Sequence, residues 1–515
     1  MFFATYLLGL ITMYFMFLYM WNRRRLYKSS MDLPGPIALP FIGNGYYFLN
    51  GMENVFFTIT TLYKAWRAIG TKIARIWLGP DLVVIPLEVD YCTQVLTNQL
   101  QKSKQYQVFD SLISEGFLFT QNIPEWRNMR KVISSNFHFS IVKSYIKIFY
   151  DEVNILINKV EKFADSGEPF QFEPLVVLAT FNMVMRSTLG IDPKAQEGNK
   201  NIVLQATDRA MELGQLRMYW FFLKNEMIYK ISGFKAEQTK ITEILRDYTH
   251  TTIREIRQRI KEEKIQSQLN GDHEDDEKKV KSFAEIMLED ENHIEDEVLA
   301  KQIMSIIIAG QDTTKSENTA ILLMLSIHQD VQDKVVEEML SVFGPDGVTS
   351  CPTYEQLQEL KYLDKVIKET LRLFPAVPIV GRNIDKDELV GGHILAPDST
   401  AAVMIYNIHR DPTYYTNPEV FDPERFSPEE ILKRPVGAYI PFSYGPRDCV
   451  GKKYAMLQMK TIVSSVVSKY RVLPTPECNK MQDIRMEVRS TLKLLETCTI
   501  RLRRRSEWEQ ERKIK

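Results

Sequence analysis

The chain has 515 residues, 44 % of them hydrophobic, which is enough to bury one or two large cores. Lys and Arg number 65 against 66 Asp and Glu, so the net charge of −1 leaves no electrostatic footprint for nucleic acid, and none is expected as a partner. Five cysteines, at 92, 351, 449, 478 and 498, are odd in number and widely spaced; they do not read as a disulfide framework and fit a reducing compartment.

Residues 1–21, MFFATYLLGLITMYFMFLYMW, carry no charged side chain, and Arg23, Arg24 and Arg25 follow. As a helix the stretch would span about 31 Å, close to a bilayer core of about 30 Å. The arginines would stay in the cytosol and keep the body of the protein there. A cleaved signal peptide would need a basic start and a small-residue cleavage site, and a mitochondrial transit peptide would need early arginines; the stretch has neither. The expectation is a retained transmembrane helix.

Residues 22–44 read as a basic and proline-rich linker. Pro34, Pro36 and Pro40 keep LPGPIALPFIGN out of a helix and make it a semi-rigid spacer. A globular domain is expected over 45–503, followed by a charged tail over 504–515. Amphipathic helical patterns dominate to about residue 260. Residues 261–281 hold 12 charged side chains in 21 and read as a solvated loop. Beyond it, 294–328 reads as one long helix, 354–374 as two shorter ones and 377–407 as short strands, and a long helix starts near Val450. No internal repeat is visible. The fold class is mostly α with small β-sheets, in a single large domain.

Two motifs are decoys. GNGYYF at 43–48 lacks the third glycine and the preceding strand of a dinucleotide fingerprint. HRD at 409–411 lacks the asparagine of a kinase catalytic loop and runs into Pro412. With no nucleotide fingerprint, a redox enzyme built on this chain must take its electrons from a partner.

The chemistry concentrates in PFSYGPRDCVGKKYA, residues 441–455. Gly445 and Gly451 permit tight turns and close approach to a flat ligand. Cys449 lies just before an expected helix, where amide N–H groups and the positive dipole end favour thiolate. Arg447 can reach an anionic ligand edge. With Phe442, these residues fill F-x-x-G-x-R-x-C-x-G, and the stretch resembles the haem-thiolate loop of the cytochrome P-450 monooxygenases.

IMSIIIAGQDTT at 303–314 is similar to that family's central helix motif. The resemblance assigns Thr313 and Asp312 to proton delivery toward dioxygen, and sets Ala309 and Gly310 beside the cofactor. Gly310 would weaken the helix locally and leave room there. ETLR at 369–372 and PERF at 423–426 resemble the family's buried cluster, here Glu369, Arg372 and Arg425, in a structural role. WRNMR at 126–130 implies Trp126 and Arg130 as haem propionate partners, with Arg382 and Arg447 beside them. NFHFSIVKSY at 136–145 and IHRDPTYYTNPEVFDPERF at 408–426 resemble the microsomal family-four branch of fatty-acid ω-hydroxylases and its insect relatives, over about residues 33–500. Many members of that branch carry a glutamate, esterified to the haem, where this chain has Ala309.

The resemblance implies a haem-dependent monooxygenase with Cys449 as axial ligand to the iron of haem b and no covalent attachment of the haem. It would insert one atom of dioxygen into an apolar small molecule such as a fatty acid, a hormone-like terpenoid or steroid, or a xenobiotic. NADPH-cytochrome P-450 reductase and cytochrome b5 are the implied electron partners, and the cytosolic face of the endoplasmic reticulum membrane the implied location. Candidate pocket segments are 105–120, 208–230 and 377–383. The alternatives are a haem-thiolate isomerase or dehydratase, against which Asp312–Thr313 argues, and a non-enzymatic haem protein.

Overall fold

The computed structural model describes residues 2–514 except 41, 49–51, 114–115, 199–200, 271–280 and 290–293. Helices dominate and the sheets are small, as expected. The chain forms two compact units.

The first unit comprises residues 1–104, 379–408 and 443–447. It holds a four-stranded sheet in the order Ile73–Leu78, Asp81–Pro86, Thr400–Val403, Val380–Asn383. The first two strands form a hairpin with Leu78 opposite Asp81; the second and third run parallel, the third and fourth antiparallel. One apolar cluster joins Ile73, Trp77, Leu82 and Val84 of the hairpin to Val95, Ile384 and Ala401.

The expected spacer is not free of this core. Residues Arg24–Ser30 are helical, and Leu26 and Leu33 belong to the same cluster. Arg75 fastens the segment from the strand side: its Nε donates to Ser30 O at 2.8 Å and its backbone N–H to Pro34 O at 2.9 Å. Proline excludes helix beyond Leu33, but the apolar residues on either side of that boundary are drawn into the core. The GNG decoy has a structural use: Asn44 Oδ1 accepts from Trp77 N at 2.8 Å and Asn44 Nδ2 donates to Ile37 O at 2.9 Å.

The uncharged N-terminal stretch forms a single helix, Phe2–Asn22. Among the described residues no helix is long and apolar enough to cross a membrane.

The second unit comprises residues 105–378, 409–442 and 448–515. Its axis is the central helix Asp296–Ile327, which packs against Glu173–Leu189 and Lys452–Lys469, with Ile146–Ser166 packed on both of those. The N-terminal half of the central helix is largely apolar, but residues 311–319 are all polar and, Thr313 aside, are enclosed with it. Between Gln302 and Ser326 every residue is buried except three, Ala309, Gly310 and Thr313. Helix Glu173–Leu189 starts on Pro174 and stops at Gly190, which takes φ 67° and returns its N–H to Arg186 O. Helix Phe234–Asn270 runs on through the first half of the expected charged loop, whose residues 271–280 lie outside the described ones. Its charges line a solvated helix before any loop begins. The expected C-terminal tail is the helix Arg505–Ile514, with Arg505 buried and donating from Nε to Val467 O at 2.9 Å.

The expected Glu369–Arg372–Arg425 cluster is present, with Glu369 and Arg372 fully buried. Arg372 makes a two-pronged pair with Glu369 at 2.7 and 2.8 Å and donates to the carbonyls of His409, Pro418 and Val420. Arg425 adds a 3.4 Å contact to Glu369. His409, from the HRD decoy, accepts the Ile440 N–H at Nε2, so its Nδ1 carries the hydrogen and donates to Arg372 O at 3.2 Å. Burial first, then the Arg372 charge, pushes its pKa down to about 3, so the ring is a neutral strut. Arg372→Ala should cost about 3–5 kcal/mol in urea unfolding, because it strands a buried carboxylate; a loss below about 1 kcal/mol, as for a surface pair, would contradict this account.

Candidate active site

The loop before helix Lys452–Lys469 is shaped by two local demands. Within the first unit, Gly445 takes φ 75°, and a Cβ there would lie 2.5 Å from Leu96 O. Only glycine meets both conditions. Within the second unit, the Cys449 N–H donates to Phe442 O at 2.9 Å and closes the loop on itself.

Cys449 has an exposed surface, yet burial among protein atoms is the largest influence on its thiol and raises its pKa. Both hold if the sulfur opens onto a recess inside the protein and not onto bulk solvent. The expected amide is there, since the Gly451 N–H points at the sulfur, and the Arg130 and Lys452 charges act in the same direction. Burial and the Asp448 charge outweigh them. The surrounding protein therefore raises the thiol above its ordinary value, and a cation bound at the sulfur would act in the opposite direction. A sulfur that is accessible, enclosed and backed by an amide fits the axial ligand of a haem iron.

Arg130 and Trp126 share one face of helix Ile123–Asn136, whose first turn is capped by Asn122 Oδ1 accepting from Glu125 N. Trp126 is buried, while Arg130 donates to the Asp448 carbonyl at 2.6 Å and pairs with the Asp448 carboxylate. The guanidinium expected to face a propionate thus also ties the helix to the residue before Cys449. In the first unit, Arg447 is buried and donates from Nε to Leu100 O at 3.0 Å. Arg382 is fully buried there on strand Val380–Asn383. Phe442 is half-buried beneath Lys452, whose Nζ lies 5.7 Å from the ring centre.

Within residues 302–326 of the central helix, the three positions not buried belong to the expected motif. Ala309 and Thr313 stand four apart on one face, and the Thr313 hydroxyl donates to Ala309 O at 2.7 Å. Gly310 has a packing reason on this helix. A Cβ there would meet Val184 Cγ2 at 3.0 Å, so the glycine lets helix Glu173–Leu189 come close.

Asp312 has partners that the motif alone did not show. One residue along a helix is about a quarter turn, and its carboxylate points away from the Thr313 face. Oδ2 accepts from the hydroxyls of Ser490 and Thr491 at 2.8 and 2.9 Å, and Oδ1 pairs with Lys315 at 2.9 Å. Burial opposes its charge, but Lys315, Lys493 and these hydrogen bonds hold its pKa below the usual carboxylate range. Lys315, three residues on, was a legible partner at helical spacing; Ser490 and Thr491, at the tip of hairpin Met486–Leu494, were not.

Two of the expected pocket segments come together in the second unit. Phe109 stacks on Phe119 at 5.2 Å, Tyr106 lies 6.1 Å from Phe119, and Gly214 faces the Phe109 ring. The Phe117 N–H donates to Gln302 of the central helix at 2.8 Å. Together they form an aromatic cluster beside the central helix.

Comparison with known proteins agrees with this geometry. The family model for cytochrome P450 matches residues 33–497. Cytochrome P450 4c3 of Drosophila melanogaster is 30 % identical over 91 % of this chain and 89 % of its own length. Human cytochrome P450 4V2 is 30 % identical over 91 % and 89 %, and Drosophila cytochrome P450 4g15 is 28 % identical over 88 % of each. An accessible cysteine enclosed by protein, a buried helix opened at one alanine–threonine face and a match along nearly the whole chain make this protein a member of the cytochrome P450 family.

Proposed function

We propose that this monooxygenase binds haem b without a covalent link and holds its iron through Cys449. The haem, when bound, supplies the dioxygen chemistry, and a thiolate ligand favours O–O cleavage. The observation that carries the assignment is the enclosed, accessible Cys449 sulfur with the Gly451 amide behind it.

The remaining roles belong to the chain's own side chains. Arg130, Arg382 and Arg447 are the cations for the haem carboxylates, with Trp126 as the apolar neighbour of Arg130. Gly451 shapes the backbone beside the sulfur, and Phe442 shields it. Ala309 and Thr313 border the reaction space, where the Thr313 hydroxyl holds and passes on a proton. The Phe109–Phe119 cluster selects an apolar substrate, whether fatty acid, terpenoid, steroid or xenobiotic.

Electrons would come from NADPH-cytochrome P-450 reductase, with cytochrome b5 as a second donor. Exposed Lys452 and Lys453, just after Cys449, give an acidic partner a docking charge. The uncharged helix Phe2–Asn22, with Tyr14, Phe17, Met20 and Trp21 exposed, serves as the anchor in the endoplasmic reticulum membrane, and Arg23–Arg25 keep the catalytic domain cytosolic.

Cys449→Ser is expected to abolish the red-shifted Soret band of the reduced carbon-monoxide complex; its survival would remove Cys449 as ligand. Thr313→Ala is expected to keep haem binding but divert electrons from NADPH into hydrogen peroxide, and full coupling in that variant would remove Thr313 from proton transfer. Ala309 has no carboxylate to esterify, so acidic organic solvent should extract all the haem; haem retained on the polypeptide would overturn the non-covalent reading.

A further inference from the structure

Strands Tyr470–Pro474 and Ile500–Arg504 run antiparallel with Pro474 opposite Ile500, and at their open end the Thr475 and Thr499 hydroxyls lie 3.1 Å apart. Two cysteines stand just beyond that end. Pro476 and Glu477 make a tight turn in which Cys478 bridges back to Thr475, its N–H donating to Thr475 O at 3.1 Å. On the opposite strand Cys498 directly precedes Thr499, and its N–H donates to Leu495 O at 2.8 Å. The turn brings Cys478 beside Cys498, and the two side chains share a hydrogen bond. Both are free thiols.

The chain between them carries hairpin Met486–Leu494. Its tip gives the Ser490 and Thr491 hydroxyls to Asp312, the Leu492 N–H donates to Ala376 O at 2.8 Å, and Val488 O accepts from Gln215 Nε2 at 3.2 Å. At the hairpin base, Arg485 O accepts the Leu495 N–H at 2.9 Å and lies 3.3 Å from Cys498 Sγ. The thiols therefore sit where the hairpin joins the sheet. A bond between them would close the loop of residues 479–497 at its neck.

The pair is not symmetrical. Cys478 is fully buried, while Cys498 keeps 6 % of its surface. The hydrogen bond with Cys478 is the largest influence on Cys498 and holds its pKa below the ordinary thiol range, against burial. The same bond, then burial, pushes Cys478 well above that range. One proton leaves the pair readily, from the more accessible sulfur, and the other stays on Cys478.

We propose that Cys478 and Cys498 form a redox site that hydrogen peroxide closes into a disulfide, pinning the base of this hairpin. The Cys498 thiolate attacks one peroxide oxygen: an S–O bond forms, the O–O bond breaks, and the departing hydroxide takes up the proton that Cys498 lost. The Cys478 sulfur then attacks the Cys498 sulfenic acid: the S–S bond forms, the S–O bond breaks, and hydroxide leaves with the Cys478 proton as water. Two thiols are oxidised by two electrons and one peroxide is reduced to two waters. A reversible link of this kind suits a reducing compartment, where disulfides are transient and sensory.

The test uses the full-length, haem-loaded protein, first reduced with dithiothreitol and desalted, then given a few equivalents of hydrogen peroxide. Free thiols are capped under denaturing conditions before trypsin digestion. The two cysteines fall in separate tryptic peptides, 472–480 and 494–501, so the disulfide is read directly by mass spectrometry as their linked pair. The link is expected in most chains and should vanish on renewed reduction. Amide hydrogen exchange over 486–494 should slow several-fold in the oxidised protein, because the closed neck restricts opening of the hairpin. In Cys478→Ser the link is absent and a dimedone adduct, which marks sulfenic acid, should collect on Cys498; in Cys498→Ser, Cys478 should stay unmodified.

No linked pair in the oxidised wild type overturns the site. Links through Cys92, Cys351 or Cys449 in equal yield overturn it as well, since they mark indiscriminate oxidation. A link without slowed exchange over 486–494 overturns the pinning of the hairpin, and an adduct on Cys478 in Cys498→Ser overturns the order of attack. The two wild-type readouts decide the proposal even if a serine variant fails to fold.

Discussion

A helix of 32 residues enclosed by protein on almost every side has no solvent to satisfy its polar side chains, and the second unit is arranged around that constraint. Thr314, Ser316, Asn318 and Thr319 turn back to carbonyls four residues earlier on the same helix. Lys315 and Asp312 neutralise each other, and Asp312 also receives two hydroxyls from the hairpin at 490–491. Glu317 reaches instead to Ala376, whose carbonyl accepts the Leu492 N–H at 2.8 Å. The two acids, a little over one turn apart, thus fasten the helix to the hairpin and to the turn after Leu373. Against so complete an enclosure, the three uncovered positions stand out as the place where a ligand can meet the helix.

The cysteine loop is held in a different way. Its geometry comes from backbone closure, with Cys449 N–H on Phe442 O, and from a guanidinium on each flank: Arg447 against Leu100 O in one unit and Arg130 against Asp448 in the other. Arg130 therefore influences Cys449 twice, through its charge and through its hold on the preceding peptide. A substitution there would disturb loop geometry as well as charge.

What the sequence revealed depended on how local the physical demand was. The cysteine loop was legible because its pattern from Phe442 to Gly451 is compact in sequence, although Gly445 also answers to a distant carbonyl, that of Leu96. The Glu369–Arg372 pair was legible from helical spacing and resemblance. The role of His409 was not, because its partners, the Arg372 carbonyl and the Ile440 amide, lie 37 and 31 residues away. The acid–alcohol pair was read from family resemblance, and adjacency on a helix puts its two side chains on different faces. Which face meets a hairpin 178 residues later is a tertiary fact. Glu317 gave no signal, because in the polar stretch 311–319 nothing local tells whether an acid reaches solvent or is sealed in.

The burial of Leu26 and Leu33 changes what the N-terminal segment can do. A hydrophobic leader joined by a loose tether would let the folded body tumble freely about its attachment. Here the chain enters the core within a few residues of Asn22, and Arg25 adds a surface pair with Asp387. The direction in which helix Phe2–Asn22 leaves is therefore set by the same packing that stabilises the sheet. Removing the leader for solubility has its natural cut ahead of Arg23, because a cut after Lys28 would take a core leucine with it. The segment is the first part of the folded body.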